Sequence, residues 1–406
     1  MAGPLSHIRV LDLSRIMAGP WAGQILADLG ADVVKVERPG AGDDTRGWGP
    51  PFLRDKSGRD SRDAGYFLAV NRGKRSIAVD LADPDGRRIV RALAARADIV
   101  LENFKAGTLA KFGLGYDDLA AINPGLIYCS ITGFGLSGPR REQAAYDFMI
   151  QGMSGLMSVT GEADGKPGGG PQKVGVPIVD IMTGMYAAIA VLAALTRRQA
   201  GGDGEHIDIG MLDVGVSFLA NQTMNYLISG KPPRRTGNAH PNIQPQDVFA
   251  ARDGHLALAV GNDEQFARFC RVLGRPELAA DERFKSNAAR VRNSAVLTPL
   301  IAEILRERDR EHWVRACAGA GVPCGPINTI PEVFADEQVK HRGMLIELAH
   351  AVAGSVPQVA SPMRFRNARL EHERPPPLLG QHSEEILREL GWPDARCGAA
   401  SGTESK

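Results

Sequence analysis

The chain has 406 residues, 43% of them hydrophobic, enough for a large core or two domains. Its 48 Lys and Arg against 47 Asp and Glu leave a formal net charge of +1, so the basic excess of a nucleic-acid binder or an anionic-membrane protein is missing. Aromatic residues are sparse at 6%, while glycine and proline number 47 and 26, a balance that suits an α/β enzyme with many short loops. The 5 cysteines, Cys129, Cys270, Cys317, Cys324 and Cys397, form no CxxC and read as reduced thiols of a cytoplasmic protein. No basic-then-apolar signal opens the chain, so export is not expected.

An apolar strand is expected over 8–13, a helix over 21–29 and a strand over 33–36, a βαβ unit of doubly wound type. Its first turn, Ser14-Arg15-Ile16-Met17-Ala18-Gly19-Pro20, has no GxGxxG, so the dinucleotide fingerprint is missing from its usual place. A Gly/Pro loop with two arginines, Arg38 and Arg46, follows; it is either solvated or an anion contact at the carboxyl end of a strand. A second basic turn, Asn71-Arg72-Gly73-Lys74-Arg75-Ser76, leads into a strand over 77–79. An amphipathic helix over 84–95, a strand over 98–101, a helix over 108–112 and a strand over 126–132 come next. Gly133-Phe134-Gly135-Leu136-Ser137-Gly138 does spell GxGxxG, but Pro139 follows it and 140–143 offers no apolar helix face, so it reads as a loop beside a ligand.

After a mixed apolar span over 146–157 and a Gly/Pro-dense loop over 160–173, the sequence Val174-Gly175-Val176-Pro177-Ile178-Val179-Asp180 opens the central helix. From Met185 to Leu195 no residue is charged; Arg197, Arg198 and Gly201-Gly202 then supply a basic last turn and a stop. This reads as a buried helix whose apolar run is too short to span a bilayer. One acid, Asp180, stands where it begins. It can cap the helix by accepting hydrogen bonds from the first free N–H groups, or serve as an ionised nucleophile within reach of a substrate.

A strand over 205–210 and a helix over 212–226 close the first part. A linker over 230–245 precedes a smaller α/β unit with a strand over 256–260 and helices over 263–273, 296–306 and 311–318. The expected division is a large Rossmann-like part over 1–229, a linker and small domain over 230–328, and a return segment with a tail over 329–406. A short helix is expected over 384–390, with a frayed end after Trp392. His206, His240 and His312 are scattered, and no metal-ligand spacing appears.

Leu29-Gly30-Ala31-Asp32-Val33-Val34-Lys35-Val36-Glu37 with Gly42-Asp43-Asp44-Thr45-Arg46 resembles the class III CoA-transferases, the CaiB/BaiF family. So do Asn71 through Asp80, Glu102-Asn103-Phe104, Gly113-Leu114-Gly115-Tyr116-Asp117-Asp118-Leu119, Tyr146-Asp147, Val322-Pro323-Cys324-Gly325-Pro326-Ile327 and Leu378-Leu379-Gly380-Gln381-His382, in the same order along nearly the whole chain. Trp48-Gly49-Pro50-Pro51-Phe52 and Arg374-Pro375-Pro376-Pro377 make it most similar to the succinyl-CoA:glutarate, or dicarboxylate, type.

The resemblance implies a Rossmann-like large domain, a smaller α/β domain and a homodimer of interlocked rings. It implies Asp180 as the acylated residue, and Arg38, Lys74, Arg75, Asn103, Phe104, Lys105 and Lys111 as CoA contacts. Arg15, Met17, Tyr146 and His240 are candidate acyl-pocket residues, and plain packing or solvation competes with that role at each. The implied substrates are an acyl-CoA and a small carboxylic acid, with coenzyme A passing through as substrate, no tightly bound cofactor, no metal, and neither nucleic acid nor membrane as partner. An aspartate of ordinary pKa, about 4, would need no general base to attack a thioester. Backbone N–H groups near Asp180 or in the glycine loops are expected to hold the oxyanions. An α-methylacyl-CoA racemase is the alternative on the same fold, but it needs two acid/base groups, one usually histidine, and Tyr146 beside Asp147 is a poor substitute. A non-catalytic CoA-binding protein is the other, disfavoured by the presence of Asp180.

Overall fold

The structure is a computed structural model in which residues 3–370 and 373–392 are described. Two units emerge, one formed by 1–155, 175–219 and 338–406, the other by 156–174 and 220–337. Residues 156–174 thus group with the second unit, and its far limits are 220 and 337 where the sequence suggested 230 and 328. Cys397 and the chain after Trp392 lie outside the described residues.

Six parallel strands make the sheet of the first unit: β1 (Arg9–Asp12), β2 (Asp32–Glu37), β3 (Lys74–Ala78), β4 (Ile99–Glu102), β5 (Ile127–Thr132) and β6 (Glu205–Gly210). Their spatial order is β3-β2-β1-β4-β5-β6, the doubly wound arrangement. Alternate residues feed two cores. Val10, Val33, Ile99, Leu101 and Ile127 pack beneath α1 (Ala18–Asp28) on one face. Leu11, Val34, Val36, Ile77 and Val100 pack beneath α2 (Pro84–Ala94) and the helix Ser383–Glu389 on the other. Burial on both faces explains why these strands read as continuous apolar runs.

The short helix α3 (Asp147–Met153) precedes α4 (Ile178–Gln199), which lies against α1 and the β5–β6 edge. A side chain at Gly184 would place its Cβ 2.5 Å from the Ala18 carbonyl oxygen, so only glycine lets α1 and α4 approach this closely. The sequence suggested a buried helix whose apolar run is too short for a bilayer. At 22 residues α4 is long and apolar enough to cross one by length and composition, yet half of its apolar window is packed inside the protein. Its other side is open, with Met185, Tyr186 and Ile189 exposed by 41%, 41% and 59%. The helix expected over 212–226 is two, α5 (Met211–Phe218) and Ala220–Ser229, because Ala220 turns left-handed at φ +44°.

The second unit is built on an antiparallel sheet of Gln246–Ala251, Gly254–Ala259 and Cys324–Pro326. Phe249, Leu256, Phe266, Phe269, Ile301 and Trp313 form its core.

Candidate active site

In this strand order the direction of winding reverses between β1 and β4, and open sheets bind ligands beyond the carboxyl ends of such strands. Here the turn after β1 meets the turn after β4. The Asn103 side chain accepts from the Arg15 N–H at 2.8 Å and donates to the Arg15 carbonyl at 2.7 Å. Asp43 accepts the Ile16 N–H at 3.2 Å, and Lys35 Nζ donates to the Ser14 carbonyl at 2.9 Å. Lys35 and Asp43 are themselves a buried pair at 2.9 Å. These bonds hold Ile16 at φ +72°, a left-handed conformation that a β-branched residue adopts only under compulsion. The turn is therefore shaped by its surroundings before any ligand arrives.

Over this turn opens a cleft of about 390 Å³. Arg15, Met17, Asn103, Phe104, Lys105, Tyr146 and Asp180 all line it, although they are scattered from 15 to 180 in the chain. Gly133, the first residue of that glycine loop, contributes to the wall. A smaller cavity of about 220 Å³ shares Arg15 and Phe104 with the cleft and adds Arg38 and Phe112. Lys111 is exposed on the short turn Ala110–Phe112 beside it. His240 belongs to the second unit, where its N–H donates to the Gln246 carbonyl at 2.9 Å.

Asp180 is buried at the third position of α4, not at its cap. The cap role falls to Asp147, whose Oδ1 accepts the Val179 N–H at 2.8 Å and the Asp180 N–H at 3.2 Å. Gln151 Nε2 holds the other oxygen, Oδ2, at 2.6 Å. Burial, and then the charge of Asp147, push the Asp180 carboxyl up to about 7. The expectation of an ordinary carboxylate fails because burial strips the solvent that favours its charge and Asp147 adds a like charge beside it. Two N–H groups of the glycine loop are already spent: Gly135 donates to Thr132 Oγ1 at 2.8 Å and Leu136 to Asp208 at 3.0 Å.

Two groups escaped the sequence reading. Burial first, then Asp180 and Asp147, push the Tyr66 phenol up to about 12, so near these acids it stays protonated. Glu102, at the end of β4, is raised to about 7 by burial despite accepting the Phe104 N–H at 2.8 Å. Glu102 stands in the Glu102-Asn103-Phe104 motif, but no local pattern marks its raised pKa or the place of Tyr66; that signal is tertiary.

The family model for CoA-transferase family III matches residues 5–383. The chain belongs to this family. It is 51% identical to a succinate–glutarate CoA-transferase of Agrobacterium fabrum over 95% of this chain and 96% of that protein. It is 43% identical to the human succinyl-CoA:glutarate CoA-transferase, over 95% of this chain and 86% of that one. The crystal structure of a CaiB/BaiF family protein from Brucella suis has 51% identity and a TM-score of 0.85, covering 96% of this chain and all of that one, 100%.

CoA thioesters are the substrates of a family III CoA-transferase, and their nucleotide carries phosphates that basic side chains can meet. Arg38 is free to meet one, exposed at the rim of the smaller cavity. Much of the other basic character is internal. Lys74 is fully buried, with Nζ on Asp12 at 2.8 Å, the Pro20 carbonyl at 2.9 Å and Asn71 at 2.9 Å. Arg75 spans Asp32, Glu385 and Glu389. Neither lines the cleft or the smaller cavity. Arg46, the second arginine of the Gly/Pro loop, is clamped by Glu37 at 2.7 Å and lies over Phe67 at 3.6 Å. Arg72 is likewise paired with Asp28 at 2.8 Å. Lys74, Arg46 and Arg72 are buried and each takes a buried acid, whereas the three acids around Arg75 are partly exposed. Among the described residues no group of His, Cys, Asp and Glu could hold a metal ion.

Proposed function

We propose that this CoA-transferase moves CoA between succinyl-CoA or another dicarboxylyl-CoA and a free carboxylic acid, with Asp180 as the covalent carrier. The observation that carries the reading is a buried carboxyl lining the same cleft as Arg15, Asn103 and Phe104 at the switch point. The names of the relatives supply the substrate class.

In this scheme the ionised Asp180 attacks the thioester carbonyl, forming an acyl-aspartyl anhydride and CoA thiolate. The thiolate attacks the aspartyl carbonyl, giving an aspartyl-CoA thioester and releasing the donor acid. The acceptor carboxylate displaces the thiolate, and a second attack of the thiolate, now on the acceptor acyl carbon, returns Asp180 to its starting form. Each step exchanges one acyl bond for another, so no oxidant or external base is needed. The apolar surroundings that raise Asp180 also make its ionised form poorly solvated and keep water from the anhydride. A racemase would need a second proton carrier facing the first, and no histidine lines the cleft.

Arg38, Asn103, Phe104 and Lys105 are proposed CoA contacts, and Met17 and Tyr146 part of the acyl pocket. The homodimer of interlocked rings belongs to the same proposal. The exposed side of α4 adjoins an apolar groove of about 920 Å³ that includes Trp21, Phe52, Met185, Ile189, Met344 and Met363. Burial of such a surface against a second copy is worth far more than its exposure. Ile189→Asp should yield a monomer by light scattering if that groove is the interface. A reducing cytoplasm suits Cys129 and Cys270, buried and free.

Hydroxylamine or borohydride trapping during turnover, read by peptide mass spectrometry, tests the central claim. Modification confined to the peptide bearing Asp180 supports it; modification elsewhere removes it.

A further inference from the structure

We propose that Arg141 reads the distal carboxylate of a dicarboxylic acyl group and sets the preference for diacids over monoacids. This rests on the reading of Asp180 as the acyl carrier. Three cationic side chains share the cleft with Asp180: Arg15, Lys105 and Arg141. Arg15 is engaged, with its guanidinium 3.3 Å from Asp44 and 5.2 Å from the centre of the Phe104 ring. Asp44 also lines the cleft, so that corner is electrically balanced and offers an incoming carboxylate little net attraction. Lys105 follows Phe104, which faces the smaller cavity with Arg38, and an ammonium offers a point charge without a fork.

Arg141 differs on both counts. Its ion pair is with its neighbour Glu142 at 3.5 Å, with both side chains more than half exposed, an arrangement worth little and easily exchanged. It stands at one end of a continuous wall. Gln143, Ala144, Ala145 and Tyr146 follow along the cleft, and the next residue, Asp147, holds the Asp180 N–H. The small Ala144 and Ala145 leave room for a methylene chain between the acylated carboxyl and the guanidinium. A planar arginine fork matches a carboxylate in two parallel hydrogen bonds. The wall thus runs from a reacting acid to an available cation, and a diacid likewise carries a charged group at each end.

Full-length wild type, Arg141→Gln and Arg141→Lys are each given succinyl-CoA with equal concentrations of glutarate and pentanoate, and the two CoA products are quantified in one mixture. Both acids compete for the same enzyme intermediate, so the product ratio is independent of the donor half-reaction and of the fraction of folded enzyme. Arg141→Gln is expected to lower the glutaryl-to-pentanoyl ratio by about 10- to 100-fold, with Arg141→Lys between it and wild type. An unchanged ratio in both variants, with Asp180 still trapped during turnover, overturns the role of Arg141 alone. Absence of trapping at Asp180 in the wild type overturns the reading beneath it. If Arg141→Gln yields neither product, the ratio from Arg141→Lys decides by the same criterion.

Discussion

Asp147 takes for itself the two N–H groups that the helix of Asp180 would otherwise offer to its own acid, at 2.8 and 3.2 Å. One carboxylate thus caps the helix and the other, a single turn inside it, is left buried without that support. The helix end, usually a place that favours negative charge, here serves the neighbour of the reacting group.

The pH dependence of turnover follows. With Asp180 raised to about 7, the reactive carboxylate is the minority form in acid, and kcat/KM should climb about tenfold per pH unit below 7 and level off above it. Asp147→Asn keeps an oxygen for the two N–H groups and removes the charge. Its profile should move toward acid by about one unit, leaving the contribution of burial, which is the larger cause, in place. A profile unmoved by this substitution would show that Asp147 does not tune the group.

Stability should respond in the opposite sense. The unfolded Asp180 releases its proton near 3.8 and the folded one near 7, so between those values the folded chain binds more protons and each rise in pH weakens it. Asp180→Asn removes the cost. The variant should match wild type in thermal unfolding near pH 4, gain on it up to pH 7, and hold a constant advantage above, about 4 kcal/mol at full ionisation. Unfolding curves across this range measure it directly.

Lys74 and Arg38 should separate cleanly. Lys74→Met strands Asp12 in the core and should cost about 3–5 kcal/mol in urea unfolding. Arg38→Ala should leave unfolding unchanged and raise KM for the acyl-CoA several-fold, since its exposed guanidinium has a nucleotide to meet and no buried acid to abandon. The reverse pattern would return Lys74 to the list of CoA contacts.

Asn103→Ala deletes both bonds to the backbone of Arg15. Activity should fall about 100-fold through misplacement of the turn, while stability drops by about 1–3 kcal/mol. Asn103→Asp keeps the acceptor but loses the donor, and should recover only part of the activity.

Much of this architecture was legible in the residues. The strands at Val10, Val33, Ile99 and Ile127 announce themselves because both faces are apolar, and Gly201 with Arg197 and Arg198 marks where α4 stops. The acid at 180 stood out as the single charge where a greasy helix begins. What could not be read was which charges cancel in space. Lys74 and Arg75 look like phosphate ligands in one dimension; their partners Asp12 and Glu385 lie 62 and 310 positions away. The same holds for the state of Asp180, set by burial and then by an acid 33 positions earlier. The hairpins Phe52–Arg54 with Asp60–Ala64 and Leu345–His350 with Gly354–Val359 were missed because charged and polar residues interrupt their alternation.

The forced backbone at Ile16 has a consequence for how guests are told apart. A floor already locked by Asn103, Asp43 and Lys35 does not mould itself around what lands on it, so every acid meets the same contour. Selectivity is then a matter of which side chains stand along the edge of the bowl, and new acyl preferences should be obtainable by exchanging those alone.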